Sequence, residues 1–164
     1  MFETGSDEYK AYRFEKKFES WGGVPFRDLN EEVQKPILAQ SSLADGEIPV
    51  FGGTAPLGWI LVTTRRVIWK ADAVVTALPL AEIRNMGWSA GPKASETRLD
   101  PSVVEMHWID ENNEKTLTKG RSPWFFLFDV QGIRHEIYLQ PCDVVDIWNK
   151  ILFLRGLEKS YPTN

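Results

Sequence analysis

The sequence holds a single cysteine, Cys142, and two histidines, His107 and His135. One thiol cannot close an internal disulfide, and one cysteine with two histidines falls short of the four ligands of a structural zinc site. This usage suits a reducing compartment, so the expected location is cytoplasmic, with no cofactor. No apolar run approaches the ~18 residues of a membrane span, and the opening MFETGSDEYK has neither the basic nor the apolar segment of an export signal. Positive charge is not in excess: 19 lysines and arginines face 23 aspartates and glutamates, a formal net charge of −4. A broad electrostatic grip on nucleic acid is therefore not expected. Serine elbows, phosphate-cradling glycine loops and paired acidic metal motifs are missing too, as are internal repeats.

What is present is a hydrophobic fraction of 43% over 164 residues, enough for one domain that buries roughly 70% of its unfolded surface. Residues 6–23 have helix grammar: Ser6 can cap, Asp7 and Glu8 suit the positive end, and Gly22-Gly23 can close it. Phe14, Phe18 and Trp21 fall at i, i+4, i+7 and form one apolar stripe, which is expected to pack on the rest of the domain because Glu15 and Glu19 interrupt the cationic flank a membrane anchor would need. A second helix is predicted from Asp28, with Glu31 three residues on and Pro36 bending it.

Beyond LADGE the period changes to two. Strands are predicted at 59–63, 66–71, 74–78, 103–110, 115–118, 124–130 and 133–140, with GGTAPLG at 52–58 as a turn. WFFLF at 124–128 is apolar on both faces and should be covered on both. From Asp143 the period returns to 3.6 in DVVDIWNKILFLRG, predicting a helix over 143–155 that stops at Gly156.

In GWILVTTRRVIW, residues 58–69, a turn at Thr64-Arg65 pairs Val62 with Val67, Leu61 with Ile68, Ile60 with Trp69 and Trp59 with Lys70. Ile60, Val62, Val67 and Trp69 then form a wholly apolar core face. Trp59, Leu61, Ile68, Arg66 and Lys70 share the other face, and the paired arginines sit at the hairpin tip in water. Two occupants suit that second face equally: the N-terminal helices, or another protein chain. Trp59, Leu61, Arg66, Ile68 and Lys70 are accordingly the candidate protein-binding residues.

LADGEIPV, GWILVTTRRVIW and LPLAEIRNM, in that order, resemble the bacterial pleckstrin-homology-like domains and the related GRAM domains. The resemblance rests on Leu43, Gly46 and Glu47, on Thr63 and Arg66, and on Pro79, Leu80 and Ile83. It implies an α+β chain with a bent antiparallel barrel of about seven strands capped by a C-terminal helix. On that reading residues 1–42 are a helical extension, 43–157 the barrel and its helix, and 158–164 a tail. The implied function is a non-catalytic binding or scaffold module acting through protein contact, self-association included. Relatives that grip phosphoinositides carry basic residues in the loop joining the first two strands; FGGTAPLG has none, so no phosphoinositide binding is expected. Arg65, Arg66 and Lys70 could supply only a modest patch for anionic lipid. Two rival functions are a hydrolase using His107 and Glu105, which share a strand face, and an immunity-type protein facing a toxin. His135 lies on an apolar strand face and reads as a hydrogen-bonded core histidine.

Overall fold

The computed structural model describes residues 1–21, 23–55, 57–89, 106–109, 124–138 and 144–163. Helix α1 spans Asp7–Phe18, and the Ser6 hydroxyl accepts from the Tyr9 N–H at 3.2 Å, as its capping position requires. Helix α2, Glu31–Ser41, starts later than predicted. Asn30 caps it by accepting from the Glu32 N–H at 2.9 Å, while Asp28 belongs to a preceding 3₁₀ turn, Phe26–Asp28, that drives Phe26 into the core. Pro36 sits inside α2 without ending it; one backbone bond is lost, and the proline's own carbonyl accepts from Gln40 Nε2 at 2.9 Å.

Four antiparallel strands follow, β1 Pro49–Ala55, β2 Gly58–Thr63, β3 Arg66–Ala71 and β4 Val74–Pro79, in the spatial order of the chain. The register of β2 on β3 is the one the alternation predicts, from Trp59 opposite Lys70 to Val62 opposite Val67. The glycines read as a turn are largely strand. Gly52 lies opposite Leu61, where a Cβ would stand 2.5 Å from the Ile60 carbonyl oxygen, so glycine is what lets β1 approach β2.

The arginines at the hairpin tip are not in water, which corrects the sequence-based expectation. Arg66 lays its fork on Glu47, Nε to Oε1 at 2.9 Å and an Nη to Oε2 at 2.6 Å, and a third bond runs to the Ser42 carbonyl at 3.1 Å. The Glu47 side chain has no solvent exposure; Thr63 Oγ1 donates to it at 2.6 Å and the Ala44 N–H at 2.9 Å. Arg65 grips Asp7 of α1 by one oxygen, Oδ2, through Nε at 2.9 Å and an Nη at 2.5 Å, and Thr64 Oγ1 donates to Oδ1. The turn itself needs no residue at positive φ. Thr63 Oγ1 accepts from the backbone N–H groups of Arg65 at 3.1 Å and Arg66 at 2.8 Å and organises it from the side. Thus Glu47, Thr63 and Arg66, three of the positions that carry the family resemblance, meet around one hydrogen-bonded cluster.

Two compact units make up the chain. Met1–Ala81 with Lys150–Asn164 form the first, so the N-terminal helices share a unit with the first sheet. Glu158 and Thr163 take part in the same unit. Helix α3 runs Val144–Ser160, past Gly156, because Leu157 is buried and Glu158 meets the fully buried Lys10 of α1 at 2.5 Å, with Thr163 Oγ1 also accepting from that ammonium at 2.6 Å. Phe14 and Phe18 of α1 are buried, Phe14 stacked on Phe51 and Phe18 edge-on to Phe153, whereas Trp21 at the end of the predicted stripe is exposed.

Glu82–Asn149 form the second unit, with β5 Ile83–Ser89, β6 Met106–Ile109, β7 Trp124–Asp129 and β8 Arg134–Tyr138 in the order β6-β5-β7-β8. Strands β5, β7 and β8 are antiparallel, while β6 runs parallel to β5. The α+β class therefore holds, but among the described residues the strands form two sheets and no pairing closes them into a barrel. Phe125, Phe126, Leu127 and Phe128 are all buried, so β7 is covered on both faces as its composition predicts. The strand predicted at 115–118 lies outside the described residues. No described helix is long and apolar enough to cross a membrane.

Burial by itself would raise the Glu47 pKa, but the hydrogen bonds from Arg66, Thr63 and the Ala44 N–H, together with the Arg66 charge, outweigh it and hold the group below its ordinary 4.5. A carboxylate whose folded pKa is lowered adds stability that is complete above the unfolded value and is lost as pH falls through the folded one. The urea midpoint should therefore hold steady from neutral pH down to about 5 and then fall. Glu47→Gln should cost about 3 kcal/mol at pH 7, by stranding Arg66, and should flatten that acid limb. An unchanged pH profile in the variant would show that Glu47 does not govern it.

Candidate functional site

The five residues predicted as an exposed binding face are placed together by the β2–β3 pairing, but they are not exposed. Trp59 is 5% exposed and Leu61 and Ile68 are 0% exposed, packed in one cluster with Phe26 and with Ile37 of α2, and flanked by Leu29, Val33 and Leu43. Lys70 donates to Gln40 Oε1 of α2 at 2.7 Å and Arg66 is held by Glu47, so the polar rim is also engaged inside the chain. Of the two occupants that suited this face, the N-terminal helical layer takes it. The physical reason is area: two strand rows of Trp, Leu and Ile are too apolar to leave in water when an amphipathic helix lies within reach. Burial among Phe26, Ile37, Leu61 and Ile68 makes the Trp59 ring a packing residue.

The hydrolase site is not assembled by described side chains. Glu105 lies outside the described residues, and His107 is placed only as a backbone position in β6, opposite Gly87. His135 sits on β8 opposite Leu127 and its Nε2 is 3.0 Å from Asp129 Oδ2; it is hydrogen-bonded as the sequence indicates, but it is only partly buried and not a core residue. Asp129 is a turn residue: its Oδ1 accepts from the N–H groups of Gln131 at 2.8 Å and Ile133 at 2.9 Å, closing the β7–β8 hairpin over Gly132 at φ +79°. Burial pushes its pKa up, and the bonds from His135, Ile133 and Gln131 bring it below the ordinary 3.8. Among the described residues no three His, Cys, Asp or Glu side chains converge as metal ligands.

Two features that sequence reasoning missed remain open to solvent. One is a groove of about 320 Å³ beside α1, floored by Phe14, Phe18, Val50 and Phe51 and rimmed by Tyr12 and Val24. The stripe of α1 signalled an apolar surface there, but β1, the other wall, was hidden by its glycines. The other is β4. Its Val74 is 64% exposed and Val75 41%, and Ala77 is exposed as well, although all three lie in an apolar strand. Comparison with protein-family models, with curated proteins and with solved structures gives no match. The chemistry of these surfaces therefore has to be read from the chain itself.

Since Trp59 is a core residue, Trp59→Ala should act on folding, with a loss of about 3–5 kcal/mol in urea titration and no shift in solution mass at native concentrations. A variant of parental stability whose oligomeric state changed would return Trp59 to the surface.

Proposed function

We propose that the chain is a non-catalytic binding or scaffold module of the pleckstrin-homology-like kind, and that it works by pairing strand β4 with a second protein chain, its own copy first. The observation that carries this reading is the outer edge of β4. Val74–Pro79 is the last strand of its sheet, and among the described residues no strand lies on its far side. It has no charged residue, no bulge in its register, and its only proline is at the end. Edge strands that stay unpaired are blunted by one or more of these devices. The opposite edge has them: β1 begins at Pro49, shifts register between Pro49 and Phe51, and carries Gly52 and Gly53. Val75 and Ala77, opposite Lys70 and Ile68, continue the apolar row that α2 covers on β2 and β3. An antiparallel β4–β4 pairing is self-complementary about a two-fold axis and gains backbone hydrogen bonds as well as apolar area.

The strand-then-helix order and the Glu47–Thr63–Arg66 cluster support the family reading. Residues 51–58, which carry no lysine or arginine, support a module that does not use phosphoinositides.

Sedimentation velocity tests the proposal. The intact chain should associate reversibly as concentration rises, and Val75→Lys should abolish this with little loss of stability, since an exposed substitution typically moves it by about 0.5 kcal/mol or less. A chain that stays monomeric throughout, or an oligomer indifferent to Val75→Lys, rejects edge pairing.

A further inference from the structure

Two backbone hydrogen bonds at the ends of β3 fix which groups of β4 face outward. In an antiparallel ladder the N–H and C=O of one residue point to the same side, and successive residues alternate sides. The Asp72 N–H donates to the Leu57 carbonyl at 2.7 Å, which puts the even-numbered residues of β3 in phase to bond β2. The Leu80 N–H donates to the Arg65 carbonyl at 2.8 Å, which puts the odd-numbered residues of β3 in phase to bond β4. Opposite Val67, Trp69 and Ala71 stand Leu78, Thr76 and Val74, so these three commit their backbone groups to β3. Val75 and Ala77 direct theirs away from the sheet, where among the described residues no strand lies. Pro79 follows in the same phase but has no N–H to donate. Side chains alternate by the same count: the exposed Val75 and Ala77 stand on the face of Lys70 and Ile68, and the half-buried Thr76 on the face of Trp69.

Resting on the edge-pairing reading above, we propose that two copies of the chain join in a single register: Val75 opposite the partner's Ala77, Ala77 opposite the partner's Val75, and the two-fold axis between the two Thr76 residues. Each Val75–Ala77 pair then exchanges both of its backbone bonds, so every outward N–H and C=O of these two residues is satisfied within β4 itself. The neighbouring registers do worse. With Val75 on the axis, Ala77 faces the partner's Ala73, which lies in the turn beside Asp72 at φ +54° and not in a strand. With Ala77 on the axis, Val75 faces the partner's Pro79, and the N–H that the Val75 carbonyl needs is missing. A one-residue slip sets the outward groups against Thr76, whose own are bonded to β3. In the favoured register the two threonines form a non-hydrogen-bonded pair, the closer kind, with Cα atoms about 4.5 Å apart.

Disulfide trapping separates the registers. Thr76→Cys, Val75→Cys and Ala77→Cys are made singly in a Cys142→Ser chain, and each is oxidised at a concentration where the parent associates in sedimentation velocity. Thr76→Cys should cross-link into a covalent dimer at least about tenfold faster than the other two, whose thiols meet their own copies only diagonally, across about 7–8 Å and beyond the reach of a disulfide. Amide exchange of the unsubstituted chain gives a second reading that needs no variant to fold. The Val75 and Ala77 amides should exchange freely in dilute protein and slow at least about tenfold on association, while those of Thr76 and Leu78 stay slow at both concentrations. Cross-linking led by Val75→Cys or Ala77→Cys, or equal at all three positions, overturns the register and leaves edge pairing standing. Val75 and Ala77 amides indifferent to association overturn both, as does a chain that never associates.

Discussion

Asp7 and Glu47 come from parts of the chain far from Thr63–Arg66 in sequence, yet both carboxylates converge on that four-residue turn. Each accepts a two-point grip from one arginine and a hydroxyl bond from one threonine. A hairpin tip bearing two adjacent like charges would otherwise point both into water, and the N-terminal segment would have no fixed landing place. With the two carboxylates in position, each guanidinium is neutralised, and the first turn of α1 and the loop before β1 are tied to the same point. Burying such charges is costly, and the arrangement holds because all four carboxylate oxygens accept a hydrogen bond.

That anchoring decides what happens to the sheet face above it. With the loop after α2 held by Arg66 through the Ser42 carbonyl and Glu47, α2 and the 3₁₀ turn before it lie across Trp59, Leu61 and Ile68. The apolar surface of the first sheet is then consumed internally at β2 and β3. What remains outside is β4, at the margin of that cover, and the groove along the other flank of the sheet, where α1 meets β1. Both solvent-open surfaces are therefore by-products of where the helices are pinned. Their chemistries differ: β4 offers backbone groups and valine side chains, the groove an aromatic floor and a lysine.

Much of the core could be read directly. The period-2 alternation of Trp59–Thr63 and Arg66–Ala71 admits one register that gathers Ile60, Val62, Val67 and Trp69 on a single face, and β2 pairs with β3 in that register. The Ser6 cap and the i, i+4 phenylalanines located α1, and the doubly apolar composition of β7 announced its burial. The candidate sites were far less legible. Gly52 and Gly53 disguised β1 as a turn, and Asn85 and Gly87 broke the alternation of β5, where the register shifts between Ile83 and Asn85 and the Asn85 side chain accepts from the neighbouring Met86 N–H.

The sequence by itself determined which side of each element is apolar, where local caps start a helix, and how β2 meets β3, because these depend on residues only a few positions apart. Only the tertiary structure decided what lies on the second apolar face, which carboxylates neutralise Arg65 and Arg66, and how far α3 continues. Asp7 is 58 residues from Arg65, and Lys10 is 148 from Glu158. Periodicity reports that a surface must be covered or a charge compensated, but the partner is chosen by three-dimensional proximity. That is why Gly156 does not end α3: the burial of Leu157 and the Lys10–Glu158 pair outweigh a local preference of about 1 kcal/mol.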